Sequence, residues 1–151
     1  MKLAEALLER ADLQKRLAQL KERLLRSTVV QEGEQPAEDP NTLLLEMDNI
    51  IKALKILVMR INYTNSTTTL VNYGTISDAI THRELLMKKR SILEAVIEKA
   101  SIMDMRYSHS EIKTIPTVNV KKLQDQVDDI SKQYRLVDTL LQQTNWLTDL
   151  K

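Results

Sequence analysis

Apolar residues recur at intervals of three and four along four segments of the chain, which predicts four amphipathic helices. The segments cover residues 2–26, 40–63, 75–107 and 120–146. Helices of this length span roughly 35–50 Å and depend on the packing of their apolar stripes for stability. The pattern therefore predicts an all-α fold, an antiparallel bundle of four long helices with coiled-coil-like packing.

In the second segment the apolar residues form a stripe that is wider than one line of positions. One stripe carries Met47, Ile50, Leu54, Leu57 and Ile61, and the neighbouring Ile51 and Val58 widen it. The fourth segment has the most regular spacing, with apolar or aromatic residues at 120, 123, 127, 130, 134, 137 and 141. Both patterns favour burial of one helix face against another helix.

Three of the predicted helices also have a recognisable start. Asp39 precedes Pro40, and an acidic N-cap followed by proline at the first helical position is typical of helix N-termini. Thr75 is followed three residues later by Asp78, a spacing that resembles a capping box. Asn119 is the predicted N-cap of the fourth helix.

The connections between the helices include two stretches rich in β-branched residues, "STVVQ" at 27–31 and "EIKTIPTV" at 111–118. In an antiparallel bundle the first and third connections lie at the same end. We therefore consider a short two-stranded β-ribbon formed by these two stretches at that end of the bundle.

Charge and composition exclude several classes of protein. The chain of 151 residues is expected to form a single domain over 1–151. It contains 22 basic and 21 acidic residues and no cysteine. Many basic residues follow an acid by four positions, as in Asp12–Arg16, Glu22–Arg26, Asp48–Lys52, Glu84–Lys88 and Asp128–Lys132. Such spacing predicts locally neutralised helix faces, so no nucleic-acid partner is expected. Disulfides and cysteine-ligated zinc are excluded.

Cofactor motifs and membrane segments are not found in the sequence. With only two glycines, Gly33 and Gly74, neither a dinucleotide-binding motif nor a P-loop is present, and no cofactor is predicted. Acidic residues interrupt the first 17 residues, and no apolar run approaches the roughly 20 residues that span a bilayer. We therefore expect a cytoplasmic protein with no membrane partner.

The stretch "RYSHSEIKTIP", residues 106–116, is a dense cluster of hydroxyl, imidazole and charged side chains after the third predicted helix. We take its polar residues as the candidate ligand-binding or subunit-contact site: Arg106, Tyr107, Ser108, Ser110, Glu111 and Lys113. In the structural interpretation the hydroxyl groups and Lys113 satisfy the last-turn carbonyls of the third helix, and Arg106 and Glu111 bridge to the neighbouring connection at 27–39, through Glu32 or Glu34. His109 matches no metal-ligand spacing, so neither a metal site nor a catalytic residue is predicted.

Several stretches together resemble a known family. They are "MKLAEALLERADLQKRL", "VQEGEQPAEDP", "RINYTN", "RYSHSEIK", "PTVNV" and "NWLTDL", which run from the first residue nearly to the last. They resemble a family of small uncharacterised bacterial proteins, some of which carry the label septicolysin. The resemblance implies a compact, mainly helical intracellular protein without established catalytic residues. It also implies arginine at the position of His109. The toxin activity that the label suggests is not favoured, because the sequence contains no export signal or membrane-length segment.

Taken together, these features predict a helical assembly or interaction protein. Apolar residues outside a single stripe, namely Leu7, Leu8, Leu25, Leu43 and Leu44, favour a homo-oligomer, most simply an isologous dimer. The alternative is an enzyme or a small-ligand-binding protein whose pocket lies at residues 106–113. The sequence leaves both interpretations open.

The structural interpretation of the polar cluster predicts a measurable loss of stability. Arg106→Ala and Glu111→Ala should each lower the free energy of unfolding by about 1–3 kcal/mol, because each leaves its partner without a charge-assisted hydrogen bond. His109→Arg is the control and should leave stability unchanged. Urea unfolding measures all three variants, and unchanged midpoints for both alanine variants would favour the ligand pocket instead.

Overall fold

The computed structural model describes residues 1–102 and 114–151. Its helices are α1 (Leu3–Ser27), α2 (Pro40–Thr67), α3 (Ile76–Ser101) and α4 (Val120–Leu147), and its strands are β1 (Thr69–Leu70) and β2 (Gly74–Thr75). The predicted all-α fold with four long helices is confirmed. α2 continues four residues beyond its predicted end at 63. α3 is shorter than predicted, because Ile102 is already extended.

The two-stranded ribbon exists, but other residues form it. β1 and β2 pair antiparallel, with Thr69 opposite Thr75 and Leu70 opposite Gly74. The predicted location is wrong, because neither residues 28–31 nor residues 114–118 form a strand, and residues 111–113 lie outside the described residues. A hairpin closed by three residues costs far less loop entropy than pairing of two stretches about 80 residues apart, which explains the difference.

The three predicted helix starts are confirmed by hydrogen bonds. The Asp39 carboxylate accepts from Asn41 N at 3.1 Å and from Thr42 Oγ1 at 2.8 Å. Thr75 N donates to Asp78 Oδ2 at 2.8 Å, and Asp78 N donates to Thr75 Oγ1 at 3.2 Å, which completes the capping box. Asn119 Oδ1 accepts from the backbone of the first turn of α4 at 3.0 Å. Side chains thus satisfy amides that a helix N-terminus leaves free.

The chain divides into two compact units, and the first comprises Met1–Thr68 with Gln143–Lys151. Within it α1 and α2 run antiparallel, since Arg23 near the end of α1 bonds Glu38, just before α2 begins. The buried apolar residues of the two helices are Leu3, Ala4, Ala6, Leu13, Leu20, Leu43, Ile50, Leu57 and Ile61. Ile50, Leu57 and Ile61 belong to the stripe predicted for α2, whereas Leu43 is one of the residues expected outside it.

The second unit, Thr69–Gln142, contains the hairpin, α3 and most of α4. Within it α3 and α4 run antiparallel, because Arg83 near the start of α3 bonds Asp138 in the second half of α4 at 2.5 Å. The buried apolar residues of this unit are Leu70, Ile76, Ala79, Leu86, Val127, Ile130, Val137 and Leu141. The expectation of a single domain over residues 1–151 stays a prediction.

Most ion pairs among the described residues join separate elements, and only Arg90–Glu94 links neighbouring turns of one helix. Among the described residues, none of the five acid-before-base pairs expected from the sequence lies within 4 Å. Exposed pairs of this kind gain little, because holding two long side chains together costs entropy. Arg23 instead makes two hydrogen bonds with Glu38, Nε–Oε2 at 3.0 Å and Nη2–Oε1 at 2.5 Å. This contact joins the end of α1 to the segment that leads into α2.

The Arg23–Glu38 contact predicts an acid-sensitive contribution to stability. The hydrogen bonds and charge of Arg23 lower the pKa of Glu38 below its ordinary value of 4.5. Because the pKa is lower in the folded state, the contribution is present above the ordinary pKa and is lost as the pH falls through the folded-state value. Glu38→Gln should therefore lower the melting temperature at neutral pH and reduce the further loss between about pH 6 and pH 3.

Glu34→Gln is the matched control for this experiment, since Glu34 lies in the same connection and has no ion pair among the described residues. Its melting temperature should follow that of the unmodified protein at every pH. If Glu38→Gln loses stability on acidification as steeply as the unmodified protein, the contact contributes nothing to acid sensitivity.

The hairpin predicts a second measurable effect, at Gly74. Gly74 has φ +78°, and a Cβ there would lie 2.6 Å from Asp78 Oδ2. Gly33 has φ +87° but nothing within 4 Å of the same position. Gly33→Ala should cost about 1–2 kcal/mol for left-handed backbone alone. Gly74→Ala should cost more in urea unfolding, because alanine also displaces the carboxylate that caps α3. Equal losses would show that the capping contact tolerates the added methyl group.

Candidate functional site

The polar cluster proposed from the sequence, Arg106 to Lys113, lies outside the described residues, so its role stays a prediction. Of its two expected partners, both Glu32 and Glu34 are exposed. Neither forms an ion pair within the described part of the chain, where Glu38 and Glu46 are the carboxylates nearest to Arg23. A site whose geometry is observed must therefore lie elsewhere in the chain, within residues 1–102 or 114–151.

One dense polar arrangement in the first unit joins the two ends of the chain. Leu3 N donates to Thr148 O at 2.9 Å, and Leu150 N donates to Met1 O at 2.9 Å. Lys2 Nζ lies 2.8 Å from Asp149 Oδ1, and it lowers the pKa of Asp149, chiefly by a hydrogen bond. These contacts hold the residues after α4 against the start of α1.

The last turns of α2 complete this arrangement. Arg60 Nε donates to Lys151 O at 3.0 Å, and Arg60 Nη2 donates to Leu150 O at 3.2 Å. Lys151 N donates to Thr64 Oγ1 at 3.0 Å, and Lys151 Nζ donates to Thr67 O at 3.0 Å. The donors and acceptors thus satisfy one another, so we interpret this region as a structural clasp rather than as a ligand site.

The second unit contains a groove of about 340 Å³ between α3 and α4. Its floor includes Leu86 and Ile130, and Lys89, Asp125 and Asp129 line it. Within residues 1–102 and 114–151, no group of three histidine, aspartate or glutamate side chains is arranged to hold a metal ion. Mixed charges on a shallow groove are ordinary surface features, and we assign no chemistry to them.

The outer face of α2 is apolar, and the packing of the described residues leaves it exposed. Leu45, Ile56, Met59 and Tyr63 are 62%, 62%, 61% and 59% exposed, although the opposite face of the same helix is buried. They share one side of the helix, because steps of about three, four, seven or eleven residues return to the same face. A helix that is apolar on opposite faces is usually covered on both.

Two charged residues lie within this stripe, between its apolar residues. Asp48 and Lys52 are both exposed, and neither forms an ion pair within 4 Å among the described residues. Along α2 the order is therefore Leu45, Asp48, Lys52 and Ile56, an apolar residue at each end and opposite charges between. We call these four residues the α2 outer stripe.

Reasoning from the sequence missed this stripe, although a signal for it exists. The spacing predicts one apolar stripe that contains Ile50 and Leu57 and is widened by Ile51 and Val58. The runs "LLLEM" at 43–47 and "KILVM" at 55–59 place apolar residues on all sides of the helix, which a one-stripe description does not capture. Of the apolar residues expected outside one stripe, Leu43 is buried, whereas Leu8, Leu25 and Leu44 are exposed.

Comparison with solved structures gives a close match over the whole chain. The match is titled a crystal structure of a functionally unknown conserved protein from Corynebacterium diphtheriae. It is 38% identical, with a TM-score of 0.92, and the alignment covers 100% of this chain and 99% of that chain. No curated protein matches the sequence. Among the described residues, no helix is both long enough and apolar enough to cross a bilayer.

A family model described as a family of unknown function, DUF6847, matches residues 10–150. The resemblance to an uncharacterised family is thereby confirmed, and neither match carries the septicolysin label. The chain belongs to the DUF6847 family.

Proposed function

We propose that this protein functions as a self-assembling helical protein, whose basic form is a two-fold dimer joined through the α2 outer stripe. The observation that carries the proposal is the order of the stripe, with apolar residues at 45 and 56 and opposite charges at 48 and 52. A cytoplasmic location, expected from the sequence, stays part of this proposal.

The stripe is complementary to its own copy in the antiparallel direction. When two α2 helices pack antiparallel about a two-fold axis near residue 50, Leu45 of each faces Ile56 of the other. In the same register Asp48 of each faces Lys52 of the other, and Met59 lies over the first turn of the second helix. The Leu45–Ile56 contact and the Asp48–Lys52 contact therefore each occur twice, as an isologous interface requires.

The same arrangement supports a second copy as the partner rather than an unrelated protein. A heterologous partner needs complementarity to this surface from its own sequence, whereas the second copy has it already. The opposite charges also disfavour the parallel arrangement, in which Asp48 would face Asp48 and Lys52 would face Lys52. Like charges in such an interface cost several kcal/mol, so the stripe specifies direction as well as contact.

Charge reversal tests the proposal. Asp48→Lys gives each dimer two Lys–Lys contacts, and Lys52→Asp gives two Asp–Asp contacts. Each single variant should raise the dimer dissociation constant by roughly tenfold or more, because both contacts become repulsive. Sedimentation equilibrium at micromolar concentrations measures this constant. Asp12→Lys, an equal charge change at an exposed position of α1, is the control and should leave it unchanged.

Two combinations make the experiment specific to the predicted register. The double variant Asp48→Lys with Lys52→Asp reverses both charges, restores the unlike pairs and should recover the dimer. An equimolar mixture of the two single variants should form a heterodimer, because lysines on one chain then face aspartates on the other. A monomeric unmodified protein, or single variants that dimerise normally, would contradict the proposal.

A further inference from the structure

A second exposed feature of the first unit is an apolar groove between α1 and α2, with a volume of about 520 Å³. Its apolar lining comes from both helices: Leu17, Ala18, Leu24 and Leu25 on α1, and Met47 and Ile51 on α2. Leu25 is 60% exposed and Ile51 is 46% exposed, so apolar surface remains open to solvent along the groove. The groove shares no residue with the α2 outer stripe.

Two polar side chains, Gln14 and Lys21, lie among these apolar residues. Of the described residues that line the groove, Lys21 alone is charged. It is exposed and takes part in no ion pair within 4 Å among the described residues. The groove therefore combines an apolar surface with a single positive charge and one amide that can donate a hydrogen bond.

We propose that this groove binds a free carboxylate with a medium-length acyl chain, held by Lys21 at its head and by the apolar residues along its chain. Ligand sites commonly have volumes of roughly 300–1,000 Å³, apolar walls and few polar groups, and this groove matches that description. A single cation is complementary to a single carboxylate.

The distance from Lys21 to the Gln14 end of the groove sets the length of the chain. Gln14 and Lys21 are seven residues apart on α1, which corresponds to about 10 Å at the α-helical rise per residue. An acyl chain of medium length, such as that of decanoate, covers this distance. The four-carbon stem of lysine can lie along apolar surface while its ammonium group stays in water, so Lys21 can reach a carboxylate at the rim.

The test compares decanoate with 1-decanol, a neutral ligand with the same chain. Isothermal titration calorimetry should show that the protein binds decanoate with one site per chain. Lys21→Glu should weaken decanoate binding roughly fivefold or more, because attraction at an exposed site becomes repulsion, and it should leave 1-decanol binding unchanged. Ala18→Trp should remove binding of both ligands, because the indole fills the groove.

Ala95→Trp is the matched control, since Ala95 is an exposed alanine on α3 in the other unit, and it should bind both ligands normally. Circular dichroism checks that each variant keeps its helical content. Absence of decanoate binding would overturn the proposal. So would equal weakening of both ligands by Lys21→Glu, or normal binding by Ala18→Trp. None of these variants changes the α2 outer stripe, so each should keep the dimer dissociation constant of the unmodified protein. A loss of ligand binding can therefore be distinguished from a loss of dimerisation.

Discussion

Helix α2 carries apolar residues around most of its circumference, and one neighbouring helix covers only part of them. Ile50, Leu57 and Ile61 are buried, whereas Leu45 and Ile56 on the far side are more than half exposed. Burying apolar surface is the main favourable contribution to folding, at roughly 25 cal/mol per Å². Exposed surface of the same composition is therefore a source of free energy for association, and both proposals follow from this constraint.

Polar contacts fix the ends of α2, where apolar packing gives little positional precision. Arg23 of α1 bonds Glu38 just before the first turn of α2, and Arg60 and Thr64 bond the terminal residues beside its last turns. A buried stripe alone allows a long helix to slide or rotate by small amounts, because apolar contact is not directional. Directional hydrogen bonds at both ends restrict that freedom. The orientation of the α2 outer stripe depends on this restriction.

The family relationship supplies a fold but no activity. The matched structure is of a functionally unknown protein, and folds of this kind support many unrelated functions. Function must therefore be inferred from particular surfaces of the molecule. For the proposed dimer, the order of Leu45, Asp48, Lys52 and Ile56 along α2 is a more specific basis than exposure alone, because the opposite charges favour an antiparallel copy over a parallel one.

Only part of the candidate chemistry could be found from the sequence. The cluster at 106–113 is recognisable in the sequence because polar residues are dense there, and it lies outside the described residues. The α2 outer stripe is not recognisable in this way, because exposed leucine, isoleucine and methionine look the same in sequence as buried ones. Residues 55–59, "KILVM", contain three adjacent aliphatic positions and a methionine, and only a structure shows that Leu57 is buried while Ile56 and Met59 are exposed.

The sequence by itself determined the four helices and three of their starts, because spacing and capping act over only a few residues, as at Asp39, Thr75 and Asn119. The tertiary structure decided where the strands pair, which placed the hairpin at Thr69–Thr75 rather than between distant connections. It also decided which face of α2 is covered. Several faces of that helix are apolar enough to pack, and the choice among them depends on α1, whose position no local pattern of α2 can encode.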